Sequence, residues 1–178
     1  MNPIRKSLAG LPAPVKRSIQ ERVYPKLLPE GETAPEWHLQ SYDDSWHRHG
    51  RHWSVLVFYV QDGGADDAAQ LKDFQAHLAD FTRLNVKVFG ISSEEAASHK
   101  AFAEENGIAF PVLTDRGGSV ARQFRACMQI PVAGPMQIRT VYLVNPERKI
   151  RLGNRGNPSV AAIVRSIEAL QQATKTGM

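Results

Sequence analysis

Residues 54–60, Ser-Val-Leu-Val-Phe-Tyr-Val, are almost entirely apolar and rich in β-branched and aromatic side chains. A run of this length and composition, without polar alternation, reads as a strand buried on both faces. Such a strand needs a sheet with helices on it, which narrows the chain to an α/β architecture. The segments downstream agree. Leu71, Phe74, Leu78 and Phe81 recur at spacings of three and four, predicting one amphipathic helix after a Gly/Asp-rich loop at 62–67. Residues 86–92 predict the next strand. Ser92 and Glu95 stand at capping-box spacing before a helix that Gly107 should close. Residues 110–114 read as a short strand and 119–125 as a short helix. Residues 140–144 and 149–152 flank an Asn145-Pro146 turn, as in a β-hairpin, and Val160, Ile163, Val164, Ile167 and Leu170 stripe a closing helix. The hairpin adds antiparallel pairing, so the central sheet should be mixed.

No internal repeat or domain linker interrupts residues 31–178, which are read as one domain. Residues 1–30 are read as an extension. It carries Arg5, Lys6, Lys16, Arg17, Arg22 and Lys26, and the spacing of Val15, Ile19, Val23 and Leu27 predicts a helix over 15–28, with Pro25 in its last turn. That helix would suit docking or a dimer contact. The net charge of +4 is spread over scattered cations, without a basic stripe interleaved with aromatics, so no nucleic-acid partner is expected. No apolar stretch approaches the ~20 residues of a membrane span, and the N-terminus lacks the apolar core of a secretory signal. The cytoplasm is the expected compartment. The single cysteine, Cys127, can form neither an internal disulfide nor a Cys-x-x-Cys pair. Gly63-Gly64 and Gly117-Gly118 lack the Lys-Ser or Lys-Thr of a phosphate-binding loop. No cofactor is expected.

Five strings, in order, resemble the peroxiredoxins, the alkyl hydroperoxide reductase and thiol-specific antioxidant family. They are residues 31–35 (Gly-Glu-Thr-Ala-Pro), 53–59, 88–92 with 98–102, 110–115 (Phe-Pro-Val-Leu-Thr-Asp) and 139–145 (Arg-Thr-Val-Tyr-Leu-Val-Asn). The resemblance covers about residues 31–172, and Phe58-Tyr59 with the loop length to Phe74 is similar to the bacterioferritin-comigratory branch. It implies a thioredoxin-like fold, a central mixed sheet flanked by helices. It also implies a reactive cysteine in the first turn of the helix after the long strand. There a helix N-terminus and an arginine favour a thiolate that peroxide oxidises to a sulfenic acid.

Aligned on the family loop (Pro, three residues, Thr or Ser, two residues, Cys), the chain has Val60 at the proline position and Gly64 at the threonine position. Asp67 stands at the cysteine position. Lys72 takes the place of the branch's resolving cysteine, and Arg139 matches the family's arginine. The resemblance therefore implies an antioxidant oxidoreductase fold whose peroxidatic chemistry is lost, a binding or scaffold module for a protein partner or small ligand. Homodimers are common among such domains.

Asp67 has two readings, an ion pair with Arg139 or a general base. Asp66 is the better N-cap candidate. Cys127 is either a half-buried structural thiol or a relocated nucleophile of a thiol-dependent oxidoreductase, activated by Arg122, Arg125 or Arg139. His47, His49 and His52 lie close enough in sequence to hold zinc or copper, but no fourth ligand is fixed by spacing, and a solvated turn is the competing reading.

Overall fold

The computed structural model describes residues 12, 24–130 and 134–176. Seven strands form one sheet in the order β2-β1-β5-β4-β3-β8-β9. The strands are β1 (His38–Ser41), β2 (Trp46–Arg48), β3 (Trp53–Phe58), β4 (Val86–Ser92), β5 (Val112–Thr114), β8 (Thr140–Val144) and β9 (Ile150–Arg155). Strands β3, β4 and β5 run parallel, and β8 is antiparallel to β3. A separate hairpin joins β6 (Cys127–Ile130) to β7 (Gly134–Gln137). The helices are α1 (Ala65–Ala76), α2 (Leu78–Arg83), α3 (Ala96–Asn106), α4 (Ser119–Gln123) and α5 (Val160–Thr176). The expected mixed sheet flanked by helices is present.

β3 explains the layering. Val55 and Val57 face one core, with Leu71, Phe74, Phe81, Phe102 and Ile163 of the helices. Leu56 and Phe58 face the other, with Trp37, Leu39, Phe124 and Tyr142. All four strand residues are fully buried, so truncating any of them to alanine costs about 2–5 kcal/mol.

Several boundaries differ from the sequence reading, each for a local reason. The helix expected through Leu71 to Phe81 breaks at His77, whose φ/ψ of −101°/9° ends α1 and opens α2. Ser92 and Glu95 form no capping box. Glu95 is itself the N-cap of α3, without a side-chain bond, and Ser92 Oγ accepts from the Glu94 N–H instead. Helix α4 stops at Gln123 because Arg125 adopts left-handed φ (53°). The Ala126 N–H then reaches the Ala121 carbonyl and the Arg125 N–H the Arg122 carbonyl, a Schellman closure built without glycine. Gly107 closes α3 in the left-handed conformation as expected.

Of the helix expected over 15–28, residues 15–23 lie outside the described residues, and 24–28 are not helical. Leu28 is buried in the second core, and its N–H donates to the Tyr142 hydroxyl. Arg155, at the end of β9, donates to the carbonyls of Pro25 and Arg125 and to Thr140 Oγ1.

Candidate functional site

Phe58 at the end of β3 pairs with Thr140 at the start of β8. The loop leaving β3 and the residue entering β8 therefore meet at one end of the sheet. Asp67, the third residue of α1, is 1% exposed, and its carboxylate is held from three directions. Oδ1 accepts from Arg139 Nε at 2.8 Å and from the Val60 N–H at 3.1 Å, while Oδ2 accepts from Arg139 Nη2 at 3.0 Å. This fork is the strong form of a carboxylate–guanidinium contact. The first turn of α1 adds its positive end.

Gly64 is the N-cap of α1, so Asp66 is not the N-cap. Asp66 sits inside the first turn, largely exposed, with Oδ2 3.9 Å from Arg139 Nη2. A Cβ on Gly64 would lie 2.6 Å from Asp67 Oδ2. The absence of a side chain at 64 and the carboxylate at 67 are therefore one steric arrangement. The sequence comparison brought together Val60, Gly64, Asp67 and Arg139, and the structure does the same. The carboxylate's burial against Arg139 leaves it no free face to act as a general base, and a carboxylate cannot follow a thiolate to a sulfenic acid.

A second polar cluster adjoins this loop and escaped the sequence reading. The Tyr59 hydroxyl donates to Asp62 Oδ1 at 2.6 Å, and His99 Nδ1 lies 3.0 Å from Asp62 Oδ2. Tyr59 and His99 are fully buried and Asp62 nearly so. Burial alone would raise the Asp62 carboxyl, but hydrogen bonds from His99, Ser98 and Tyr59 hold it below its ordinary range. Burial and the Asp62 charge push the Tyr59 phenol far up, so it stays protonated. The cluster clamps the start of the loop to α3. The only sequence sign of it was a histidine in an otherwise amphipathic helix, inside the string 98–102.

Cys127 begins β6, half-buried against the second core. Burial, then the Asp115 carboxylate, push its thiol up, against the opposing pull of Arg122 and Arg155. Of the expected activators, Arg122 acts. Arg125 is not among the charges that act on the thiol, and the Arg139 guanidinium is engaged by Asp67. Arg155 was not foreseen. The histidines do not form a solvated turn. His47 lies on β2, packs on Phe89 and meets Ser45 Oγ at 2.8 Å. His49 and His52 are part-buried with ring centroids 6.2 Å apart. Among the described residues, no group of three or more His, Cys, Asp or Glu side chains is placed to hold a metal ion. Among them, too, no helix is long and apolar enough to cross a membrane.

Comparison with known proteins agrees with this geometry. Residues 31–152 match the AhpC/TSA family. Peroxiredoxin Bcp of Xanthomonas campestris pv. campestris is 27% identical over 125 residues, spanning 65% of this chain and 78% of the relative. A peroxiredoxin of Nanoarchaeum equitans is 29% identical over 136 residues, 71% of this chain but 60% of that longer protein. Peroxidoxin BcpB from Mycobacterium tuberculosis superposes with a TM-score of 0.73 at 20% identity, covering 80% of this chain and 97% of the other. AhpC of Enterococcus faecalis superposes with a TM-score of 0.72 at 27% identity over 84% and 96%. With the thioredoxin-like sheet and the β3–α1 loop facing Arg139, these matches place the chain in the AhpC/TSA peroxiredoxin family, on its bacterioferritin-comigratory-like branch.

Proposed function

We propose that this chain is a peroxiredoxin-fold protein without thiol peroxidase activity, in which the Asp67–Arg139 pair is structural and the domain works by binding. The observation that carries this reading is the buried Asp67 carboxylate, forked onto Arg139 and capped by the Val60 N–H. It fills the position at which the family resemblance calls for a thiolate. An anion there keeps the arginine paired and the first turn of α1 compensated, so the loop retains its shape without a redox-active atom. On this reading the domain acts in the cytoplasm through a protein partner, a small ligand or a second copy of itself.

The competing reading makes Cys127 a relocated nucleophile. The elevated thiol of a half-buried Cys127, with Asp115 among its near charges, weighs against it.

Peroxide consumption with a thiol reductant, by wild type and Cys127→Ser, tests the proposal when combined with the intact mass of the protein. The expected result is no turnover above free thiol and an unoxidised Cys127. Fast, Cys127-dependent turnover would overturn it. The triple substitution Val60→Pro, Gly64→Thr, Asp67→Cys restores the family's loop side chains and should gain a peroxide reaction whose sulfenic product appears at position 67.

A further inference from the structure

The opposite end of strands β3 and β8 carries a second concave surface. Ser54 pairs with Val144 there, about 13 Å of paired strand away from the Phe58–Thr140 end beside Asp67. The approach to β3 and the turn leaving β8 enclose an open groove of about 830 Å³. Arg48 lies at the end of β2, Arg51 just before β3, and Arg148 in the β8–β9 turn. Glu36 is the one carboxylate on its wall, and it pairs with Arg148. Three guanidiniums against one carboxylate leave a net charge of two. Arg48 and Arg51, both exposed, have no carboxylate partner among the described residues.

The rest of the wall disfavours a cation. His49 lines the groove, and the carbonyls of Pro146 and Asn145 hold its ring. Burial favours its neutral form against the opposing pull of the Pro146 carbonyl, and the Arg148 charge adds to burial; burial and the Lys87 charge do the same for His52. The Arg148 and Lys87 charges beside these rings would repel a metal ion between them, and Arg148 adds to the field that attracts an anion. Trp37 forms part of the floor. On the adjoining face of the β1–β2 hairpin, Trp46 is 59% exposed and its ring lies 4.6 Å from that of His38, which pairs across the strands with Arg48. The two rings are tilted 42° to each other, and the exposed Trp46 ring lies on the same face of the hairpin as Arg48.

We propose that this groove binds a phosphate-bearing small molecule, its oxygens taken by Arg48 and Arg51 and any planar ring it carries resting on the exposed Trp46. A dianionic phosphate matches the two uncompensated charges, and a guanidinium fork suits its oxygens. The site is independent of the Asp67–Arg139 pair and of whether the fold retains redox chemistry.

Titration calorimetry and tryptophan fluorescence with pyrophosphate and with ADP, at low ionic strength on the full chain, test the proposal. Saturable binding is expected, weakened roughly 10-fold or more by Arg48→Gln/Arg51→Gln. The charge-matched control Lys100→Gln/Arg165→Gln, also at exposed positions, should leave it unchanged. Tighter binding of ADP than of pyrophosphate, with the gain removed by Trp46→Ala, assigns the ligand to ring-bearing phosphates. Equal affinities assign it to the phosphate group alone. No saturable binding of either probe, or equal loss in both double variants, would overturn the proposal. Unchanged thermal unfolding of the Arg48→Gln/Arg51→Gln protein separates loss of the site from loss of the fold.

Discussion

Asp67 and Cys127 are two ionisable side chains with arginines nearby, and their surroundings treat them in opposite ways. Asp67 is almost wholly buried, yet every direction from its oxygens is answered by a donor. Cys127 is only half-buried, and burial still outweighs the charges of Arg122 and Arg155. The difference is directional. A guanidinium that forks onto an acceptor, supported by a backbone N–H, compensates for lost solvent. One that contributes only a charge at a distance, with the Asp115 carboxylate acting against it, does not. A count of cations near a thiol or a carboxylate in sequence therefore says little about which form the group adopts.

Substitutions at Arg139, Asp67, Gly64 and Asp115 probe this contrast. The largest effect should come from Arg139→Leu, which strands the buried Asp67 charge and should cost about 3–5 kcal/mol by chemical denaturation. Asp67→Asn should cost less, about 1–3 kcal/mol, because Arg139 is 27% exposed and can turn to water. Equal costs for the two would show that both partners are solvated alike, and the contrast with Cys127 would weaken. Next in size is Gly64→Ala. The backbone there, at φ −80° and ψ 125°, accepts alanine without strain. The whole penalty, about 1–3 kcal/mol, comes from the Asp67 oxygen. It should vanish in an Asp67→Ala background, and a double-mutant cycle showing additivity would refute the steric coupling. The smallest effect concerns Cys127. Its rate of alkylation should rise with pH around a midpoint above that of a free cysteine, since the folded state favours the protonated thiol, and Asp115→Asn should move that midpoint down. A midpoint below that of free cysteine would place Cys127 beside Asp67 as a supported anion.

The long strand was legible because Val55, Leu56, Val57 and Phe58 are needed on two cores at once, which leaves no polar position in the run. Helix α5 was legible for the opposite reason, since only one stripe is buried. Val60, Gly64, Asp67 and Arg139 could be brought together on paper because the family resemblance supplied a register that periodicity does not contain. What stayed hidden depended on contacts between distant segments. The Tyr59–Asp62–His99 clamp joins positions 37 and 40 residues apart. The β6–β7 hairpin has Cys127 and Gly134-Pro135 in short strands with no clean alternation. The left-handed turn at Arg125 lacks the glycine that would have announced it. The groove around Arg48, Arg51 and Arg148 joins the β2–β3 connection to the β8–β9 turn, about 100 residues further along the chain, so these cations became one surface only in the fold.

Arg155 has a consequence for how the molecule opens. One guanidinium holds Pro25, Arg125 and Thr140, which lie 130, 30 and 15 residues away along the chain. The segment carrying Leu28, the end of α4 and the entrance to β8 therefore share a fastening, alongside the Tyr142 hydroxyl that joins Leu28 to Phe124. They belong to one cooperative unit, and amide exchange in the three should report the same opening. Without that side chain the segment around Leu28 would keep its Tyr142 bond but lose its tie at Pro25, and its amides should exchange ahead of those of the sheet.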